Sequence, residues 1–272
     1  MVPNQITHPW TPVEIDFLKN NIGKMTYKQM SKLLINRSPF SIQSKIRYLP
    51  FQQKVKKHPV NSHFFKIWSP SMTYTLGFIA ADGNICHSGK AHTLHIACDD
   101  IDVIEKIKTI MHYQGPIHVK LRQNGKNSYS LRICDPIIFH DLIKLGVTER
   151  KSLTFTPPKI PQYLIKHFIR GYFDGDGTVY LSNLKYPSKL RVKFYTASLN
   201  MGKYLYKTLK RVLGDVYKGN MLTYLAHQKT PYYVISMGHR GASRLFNYMY
   251  QDTTIYLDRK YKKFIEGIKY VN

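Results

Sequence analysis

Two aspartates occupy the same place in a short pattern that occurs twice. The stretches YTLGFIAADGNI (74–85) and FIRGYFDGDGTV (168–179) align so that Asp82 matches Asp176. Carboxylate oxygens are ligands that divalent cations prefer. The chain has 16 acidic residues against 41 lysines and arginines, so the few acidic residues are candidates for a specific role. Two matched carboxylates in so basic a chain are a candidate metal site for phosphodiester chemistry.

Small residues precede each aspartate and predict how the two stretches meet. Gly77 and Ala81 are four residues apart, as are Gly171 and Gly175, so each pair forms a stripe on one helix face. Such stripes let two helix backbones approach closely. We therefore expect the helices to pack together and to bring the two carboxylates near each other. Negative charge at a helix C-terminus is unfavourable unless cations bind there.

Three other interpretations of the repeated stretch compete with a metal site. An Asp-Gly pair can simply end a helix, but this does not explain matched stripes in two copies. A calcium loop starting at Asp174 requires Gly at its sixth position and Glu at its twelfth, where the chain has Val179 and Lys185. Plain core helices would account for the apolar residues and leave the aspartates unexplained.

The repetition continues through most of the chain. Further segments align in pairs: 94–120 with 192–219, 129–146 with 232–250, and 149–151 with 258–260. Each unit is therefore helix, two strands, helix, two strands, helix, which is α+β order with antiparallel hairpins. The last pair of segments matches Lys151 with Lys260.

Several predicted strands alternate apolar and basic residues. Apolar positions are Ile117, Val119 and Leu121 in one strand and Leu190, Val192 and Phe194 in another. Between them lie His118, Lys120 and Arg122, and Lys189, Arg191, Lys193 and Tyr195. This alternation predicts half-buried sheets. A solvent-exposed sheet face that is basic and free of acidic residues suits a DNA major groove. Positive charge on a strand can also protect a sheet edge from pairing with another chain.

Charge and cysteine content narrow the class of protein. A formal net charge of +25 spread along the chain makes nucleic acid the first candidate partner. Three widely separated cysteines do not form a disulfide framework and indicate a reducing compartment. The segment CHSGKAHTLHIAC (86–98) lacks the paired short spacings of a structural zinc site, which favours a hairpin whose histidines face DNA. No apolar run approaches the length of a membrane span.

The first 52 residues predict a small three-helix module. Thr11 and Thr26 open capping boxes, and Ser38-Pro39 starts a third helix whose apolar face includes Ile42. That third helix would turn polar side chains toward phosphates and bases, namely Ser41, Gln43, Ser44, Lys45 and Arg47. The layout resembles the Myb/SANT-like branch of helix-turn-helix domains; a generic three-helix bundle is the alternative.

The two repeated stretches resemble the paired signature of LAGLIDADG homing endonucleases in their single-chain, two-repeat form. The resemblance implies pseudo-twofold tandem αββαββα repeats with antiparallel saddle-shaped sheets, here after a small three-helix domain. The predicted organisation is a module at 1–52, a basic linker at 53–67, repeat 1 at 68–156 and repeat 2 at 157–272.

The resemblance also implies roles for individual residues. Asp82 and Asp176 would bind metal, helped by backbone carbonyls of Gly175 and of Ala81 or Gly83. The signature's first acid is Asp174 in the second copy but Ala80 in the first, so a structural or hydrogen-bonding role is expected for Asp174. Lys151 and Lys260 would stabilise charge or orient water, or only clamp phosphate. DNA readout is expected from His95, His118, Lys120, Arg122, Arg132, Lys189, Arg191, Lys193 and Tyr195.

The predicted function is site-specific double-strand DNA cleavage across the minor groove, leaving 3′ overhangs. We expect Mg²⁺ as the cofactor, with Mn²⁺ substituting and Ca²⁺ binding without cleavage. The expected partner is double-stranded DNA with a long specific site, bound by a monomer that contacts no membrane. The expected location is the cytoplasm or nucleoid of a bacterial or phage-infected cell, or an organelle matrix, without secretion. Alternatives are an intron RNA maturase and a nuclease-inactive DNA-binding regulator.

Overall fold

The computed structural model of the chain describes residues 9–49, 58–89, 91–182, 189–225 and 230–269. These residues form two compact units. The first contains the described residues up to Asn61 together with His112–Gly115, and the second contains Ser62–Met111 and the described residues from Pro116 onward. The first unit therefore continues beyond residue 52, where the predicted module ends. Residues 53–57 of the predicted linker lie outside the described residues.

The first unit has three short helices, as predicted. They are α1 (Pro12–Asn21), α2 (Tyr27–Leu33) and α3 (Pro39–Arg47). Thr11 and Thr26 each form a complete capping box, and the Ser38 hydroxyl accepts the backbone N–H of Ser41. Their common core consists of Leu18, Ile22, Met30, Ile42 and Ile46. Its Myb/SANT-like character stays a prediction.

The second unit contains two successive αββαββα repeats. The first has α4 (Pro70–Asp82), β1 (Gly83–Ser88), β2 (Ala91–Cys98), α5 (Ile101–Ile110), β3 (His118–Leu121), β4 (Asn127–Cys134) and α6 (Pro136–Lys144). The second has α7 (Ile165–Asp176), β5 (Gly177–Ser182), β6 (Lys189–Thr196), α8 (Leu199–Leu213), β7 (Met221–Leu225), β8 (Pro231–Met237) and α9 (His239–Tyr250). A final helix, α10 (Asp258–Lys269), follows them. The predicted α+β class and order of elements are confirmed.

The two sheets have the same strand order. The first runs β1-β2-β4-β3 and the second β5-β6-β8-β7, with every neighbouring pair antiparallel. Leu131 pairs with Ile96 in the first sheet, and Ile235 pairs with Phe194 in the second. Leu131 therefore corresponds to Ile235. The sequence alignment of 129–146 with 232–250, which set Leu131 against Val234, is shifted by one residue at these strands.

The prediction of a half-buried face holds for β6 and fails for β3. Leu190, Val192 and Phe194 are fully buried in β6. In β3, by contrast, Val119 and Leu121 are 59% and 69% exposed. β3 is an edge strand of its sheet and pairs with β4 alone, so its side chains have a strand neighbour on one side.

Helices α4 and α7 pack through the predicted small-residue stripes. A Cβ atom placed on Gly77 would collide with the carbonyl oxygen of Phe168, and one on Gly171 would collide with that of Tyr74. The absence of these two Cβ atoms lets the backbones touch. Each helix runs directly into the first strand of its own sheet, so the pair fixes the inner ends of both sheets.

Candidate active site

The two predicted metal ligands lie at equivalent ends of the central helices. Asp82 is the last residue of α4 and Asp176 the last of α7. The glycine after each one, Gly83 or Gly177, is extended and donates its N–H to the helix, to Ile79 and Phe173 respectively. Each carboxylate therefore projects from a point where a helix stops and a strand begins.

Gly175 brings the two helix ends together. A Cβ at this position would overlap the methyl group of Ala81 and lie 3.3 Å from Oδ2 of Asp82. The carboxylate of one helix thus rests over the last turn of the other. This juxtaposition is the one predicted from the stripes, and a side chain at Gly175 would first collide with the methyl group of Ala81, next to Asp82.

Two buried lysines bind the carbonyl groups at these helix ends. Lys151, in a 3₁₀ turn, donates to the carbonyl oxygen of Ala81 at 3.2 Å. Lys260, in the first turn of α10, donates to the carbonyl oxygens of Phe173 at 2.7 Å, Asp174 at 2.8 Å and Gly175 at 3.2 Å. A cation at a helix C-terminus offsets the partial negative charge of the last carbonyls. The two lysines therefore offset the negative charge that the helix-end carbonyls and the neighbouring aspartates bring together.

Burial and mutual repulsion raise the pKa values of the two carboxyls. Burial of the Asp176 side chain, followed by the charge of Asp82, raises its pKa to about 6, while Lys151 and the Tyr172 hydroxyl oppose the shift. Asp82 is exposed on one side, yet the protein packed around its other side raises its pKa as well. Lys260 and Lys151 oppose that increase. Like charges held this close favour a bound cation.

The pKa values of the two lysines are lowered, whereas those of the aspartates are raised. Burial lowers the pKa of Lys260 to about 8, against the attraction of Asp174. Burial also lowers the pKa of Lys151, against the attraction of Asp176 and Asp82. Each lysine thus lies close enough to the carboxylates for their charges to interact.

Asp174 belongs to a buried network rather than to the surface of the site. Its Oδ2 atom accepts from the Tyr74 hydroxyl at 2.7 Å and from the backbone N–H of Leu257 at 2.9 Å. The hydrogen-bonding role expected for Asp174 is therefore observed. Arg170, which the sequence analysis did not single out, is buried beside it and donates to the carbonyls of Ile255 and Met249. Its place in α7 between the apolar residues Ile169 and Phe173 was the available signal.

Arg122 has a partner that the sequence analysis also missed. Its guanidinium forms an ion pair with Asp99 at 2.7 Å and donates to the Ser128 hydroxyl at 3.2 Å. Both Asp99 and Arg122 act on the pKa of Asp82, Asp99 raising it and Arg122 lowering it. Arg122 therefore lies near the carboxylate end of α4. Asp99 follows β2 directly, but nothing in its spacing linked it to Arg122.

The remaining predicted DNA contacts are spread over three surfaces. On the first sheet, His95 faces Arg132 in the register of β2 and β4, and His118 and Lys120 are exposed on β3. On the second sheet, Arg191, Lys193 and Tyr195 alternate with the buried residues of β6. The side chain of Lys189 lies outside the described residues. In the first unit, Ser41, Gln43, Lys45 and Arg47 lie on α3.

The oxygen atoms at the helix ends fit a magnesium ion. Mg²⁺ is bound in proteins by one or two carboxylates, with waters and substrate phosphates completing its ligands. Asp82 forms no hydrogen bond or ion pair with any described residue, so its oxygens are available. The carbonyls of Ala81 and Gly175 each keep a second lone pair beside the lysine. Gly83, the alternative backbone ligand of the first helix, begins β1, where it pairs with Ile96.

Other metal sites are not evident. Among the residues that the structure describes, no group of three His, Cys, Asp or Glu side chains could hold a metal ion. The histidines and cysteines of 86–98, whose residue 90 is not described, accordingly form no such group. A cavity of about 270 Å³ opens beside Asp176, with Lys151, Tyr172 and Tyr195 in its wall. No helix in the described ranges is long and apolar enough to span a membrane.

Comparison with known families gives one match, and it falls on the second repeat. Residues 164–245 match the LAGLIDADG-like domain. The matched LAGLIDADG-like segment runs from the turn before α7 into α9 and includes Asp176 together with the whole of β6. The first repeat, with Asp82, lies outside the match. A comparison with curated proteins gave no match.

Several solved structures show a distant likeness. Meganuclease I-SmaMI bound to uncleaveable DNA is 14% identical, with a TM-score of 0.47 over 74% of this chain and 89% of that one. The homing endonuclease I-WcaI bound to its DNA recognition sequence is 13% identical, with a TM-score of 0.48 over 80% and 97%. The I-LtrWI LAGLIDADG homing endonuclease bound to target DNA is 11% identical, with a TM-score of 0.48 over 78% and 91%.

Proposed function

We propose that the protein is a Mg²⁺-dependent, site-specific endonuclease of double-stranded DNA that acts as a monomer. The observation that carries the proposal is the pair Asp82 and Asp176, held at the touching ends of two helices in a strongly basic chain. A LAGLIDADG-like domain around the second aspartate supports it. Mn²⁺ would replace Mg²⁺ in cleavage, and Ca²⁺ would support binding alone.

Each aspartate would serve one strand of the duplex. Asp82 and Asp176, with the carbonyls of Ala81 and Gly175, would hold the metal. Bound there, magnesium would supply water activation and stabilisation of the leaving 3′ oxygen. The closeness of the two helix ends suits two cuts across one minor groove, and we propose that the products carry 3′ overhangs.

The two buried lysines would support the carboxylates through their positive charge. Lys151 and Lys260 are buried, and each is fixed to a helix-end carbonyl. Their positive charge would lower the cost of gathering two carboxylates and a phosphodiester in one place. Since their ammonium groups are held by hydrogen bonds in the fold, we assign them a positioning role.

The basic sheet faces would bind the substrate. Lys and Arg neutralise phosphates and release counterions, which makes binding strongly dependent on salt. The faces that carry His95 and Arg132 in one sheet, and Arg191 and Lys193 in the other, would read base edges in the major groove. The module on α1–α3 would add contacts through α3.

Selective cleavage tests this proposal. A library of long duplexes is incubated with the protein and Mg²⁺, and broken ends are sequenced. The proposal predicts breaks at one family of related sites, absent when EDTA is added. Specific binding with no cleavage in either Mg²⁺ or Mn²⁺ would contradict it and favour a nuclease-inactive regulator; cleavage or binding of structured intron RNA alone would favour a maturase.

A further inference from the structure

The outer faces of the two sheets can be compared row by row, because their registers match. In the second sheet, Tyr195, Val234 and Leu222 lie side by side across β6, β8 and β7, and Tyr232 lies beside Tyr224 in the next row. The corresponding residues of the first sheet are Ala97, Ser130 and His118, then Ser128 and Lys120. Five positions that are small, polar or basic in one sheet are therefore apolar or aromatic in the other.

These five residues of the second sheet form a continuous surface, which we call the aromatic patch: Tyr195, Leu222, Tyr224, Tyr232 and Val234. The rings of Tyr224 and Tyr232 stack, with centroids 5.5 Å apart. Leu222 and Tyr224 are 43% and 44% exposed, whereas Val234 is buried between its neighbours. The patch is thus packed and ordered, yet its outer layer faces solvent.

The surroundings of the aromatic patch indicate what covers it. Leu222 borders an open groove of about 1200 Å³. Four cationic side chains and one acidic side chain line that groove, namely Arg191, Lys193, Lys218, Arg240 and Asp215. A surface that is apolar in one part and cationic in the adjoining part fits a polyanion that also presents apolar groups. Duplex DNA meets this description.

The two sheets are suited to different chemical groups on the edges of the base pairs. In the major groove, the C5-methyl group of thymine is the apolar feature that side chains can contact, whereas guanine offers two acceptors to cationic donors. The aromatic patch contains no cationic side chain, so its polar groups toward guanine are tyrosine hydroxyls alone. His118 and Lys120, at the matching rows of the first sheet, carry such donors and are exposed.

We propose that the two halves of the DNA target differ in composition, because the aromatic patch reads thymine methyl groups while the matching rows of the first sheet read guanine. This inference rests on the proposed function and specifies its substrate. The half facing the second sheet is rich in thymine opposite the patch. The half facing the first sheet carries guanine opposite His118 and Lys120.

The first experiment selects bound duplexes from a randomised library with the full chain in Ca²⁺, so that cleavage does not enter. Failure to select any duplex would overturn the proposed function itself. Selection of a site with one thymine-rich and one guanine-containing half supports the inference. A site whose halves have the same composition, with the protein still binding, overturns the inference alone.

The second experiment replaces thymine by deoxyuridine in one half of the selected site at a time, which removes only the methyl groups. Losing one buried methyl corresponds to about a fourfold weaker Kd. We expect that loss per contacted thymine in the half facing the aromatic patch and less than about twofold in the other half. Equal effects in the two halves, or none, would overturn the inference.

Matched variants assign the effect to residues. Leu222→Ala with Tyr224→Ala should bind thymine and deoxyuridine sites with the same affinity. His118→Ala with Lys120→Ala, at the equivalent rows of the first sheet, should keep the full difference between them. Thermal melting of both variants verifies that they are folded. A deoxyuridine effect that persists in the Leu222 and Tyr224 variant would contradict the assignment.

Discussion

The hydroxyl of Tyr74 donates a 2.7 Å hydrogen bond to the carboxylate of Asp174, across the interface of the two central helices. Both residues are buried, and the equivalent positions in the other copy of the pattern are Phe168 and Ala80, which cannot form such a bond. The pseudo-twofold packing of α4 and α7 is therefore polar on one side and apolar on the other.

Tyr74→Phe tests the contribution of this bond. The substitution leaves Asp174 Oδ2 with the hydrogen bond from the Leu257 N–H. We expect a loss of about 1–2 kcal/mol in the free energy of unfolding, since a buried charged acceptor loses one donor. Urea denaturation at pH 7.5 measures it. The exposed Tyr163→Phe serves as the control, and equal stabilities of the two variants would contradict the assignment.

Gly77→Ala tests the close approach of the central helices. The new methyl group would meet backbone atoms of Phe168 and Tyr172, which cannot rotate away. We expect a loss of at least about 3 kcal/mol, at the upper end for overpacked sites. Gly202→Ala in α8 is the matched helical control, because its nearest neighbour is the flexible sulfur of Met221 at 3.1 Å.

Denaturant unfolding of both glycine variants gives the comparison. The control should change stability by less than about 1 kcal/mol in either direction, since alanine also favours the helix. Similar losses for Gly77→Ala and Gly202→Ala would show that the helix interface is looser than the structure indicates.

The helix pair could be predicted from the sequence because its cause is local and repeated. Gly77 and Gly171 recur at the same distance from Asp82 and Asp176, so the pattern itself indicated the contact. The exposed face of β3 could not be predicted in this way. Alternation at Val119 and Leu121 shows which residues share a face, whereas burial depends on the strand's position at the sheet edge.

The contacts of the charged residues also required the structure. Lys151 and Lys260 align in sequence, but their bonds to Ala81 and Gly175 depend on how distant segments fold together. The pairing of Arg122 with Asp99 likewise arises because the ends of β2 and β3 lie on the two sides of β4. Ion pairs between distant segments leave no periodic signal in a single sequence.

Asp176→Asn should change the dependence of stability on pH. The pKa of Asp176 is about 6 in the fold, above its ordinary value of 3.8. The folded state therefore holds its proton more tightly than the unfolded state, and stability is lost as pH rises through about 6. Without divalent metal, the variant should be more stable than the parent by on the order of 1–3 kcal/mol at pH 7.5.

At pH 4 and below, the same two proteins should differ little, because Asp176 is then protonated in the folded state and increasingly so in the unfolded state. Chemical denaturation in EDTA at several pH values gives the difference directly. An advantage of the variant that does not grow between pH 4 and pH 7.5 would contradict the raised pKa.

Lys260→Met should cost more stability than Lys151→Met. Lys260 donates to three helix-end carbonyls and Lys151 to one. We expect the two losses to differ by at least about 1 kcal/mol, because hydrogen bonds from charged donors are the stronger kind. Thermal and urea unfolding measure both.

Lys263→Met, on the exposed side of α10, is the control for the lysine variants. Its ion pair with Glu266 is at the surface, so a change within about 0.5 kcal/mol is expected. A loss at Lys151 equal to that at Lys260 would mean that the number of carbonyl contacts does not determine the stability.

The central claim is that Asp82 and Asp176 together form the catalytic metal site. Its most direct test is cleavage of a selected duplex in Mg²⁺ by the parent protein, Asp82→Asn and Asp176→Asn, with binding measured in parallel in Ca²⁺. Each variant should bind the duplex and fail to produce a double-strand break. A variant that still cuts both strands at the parent's rate would contradict the account.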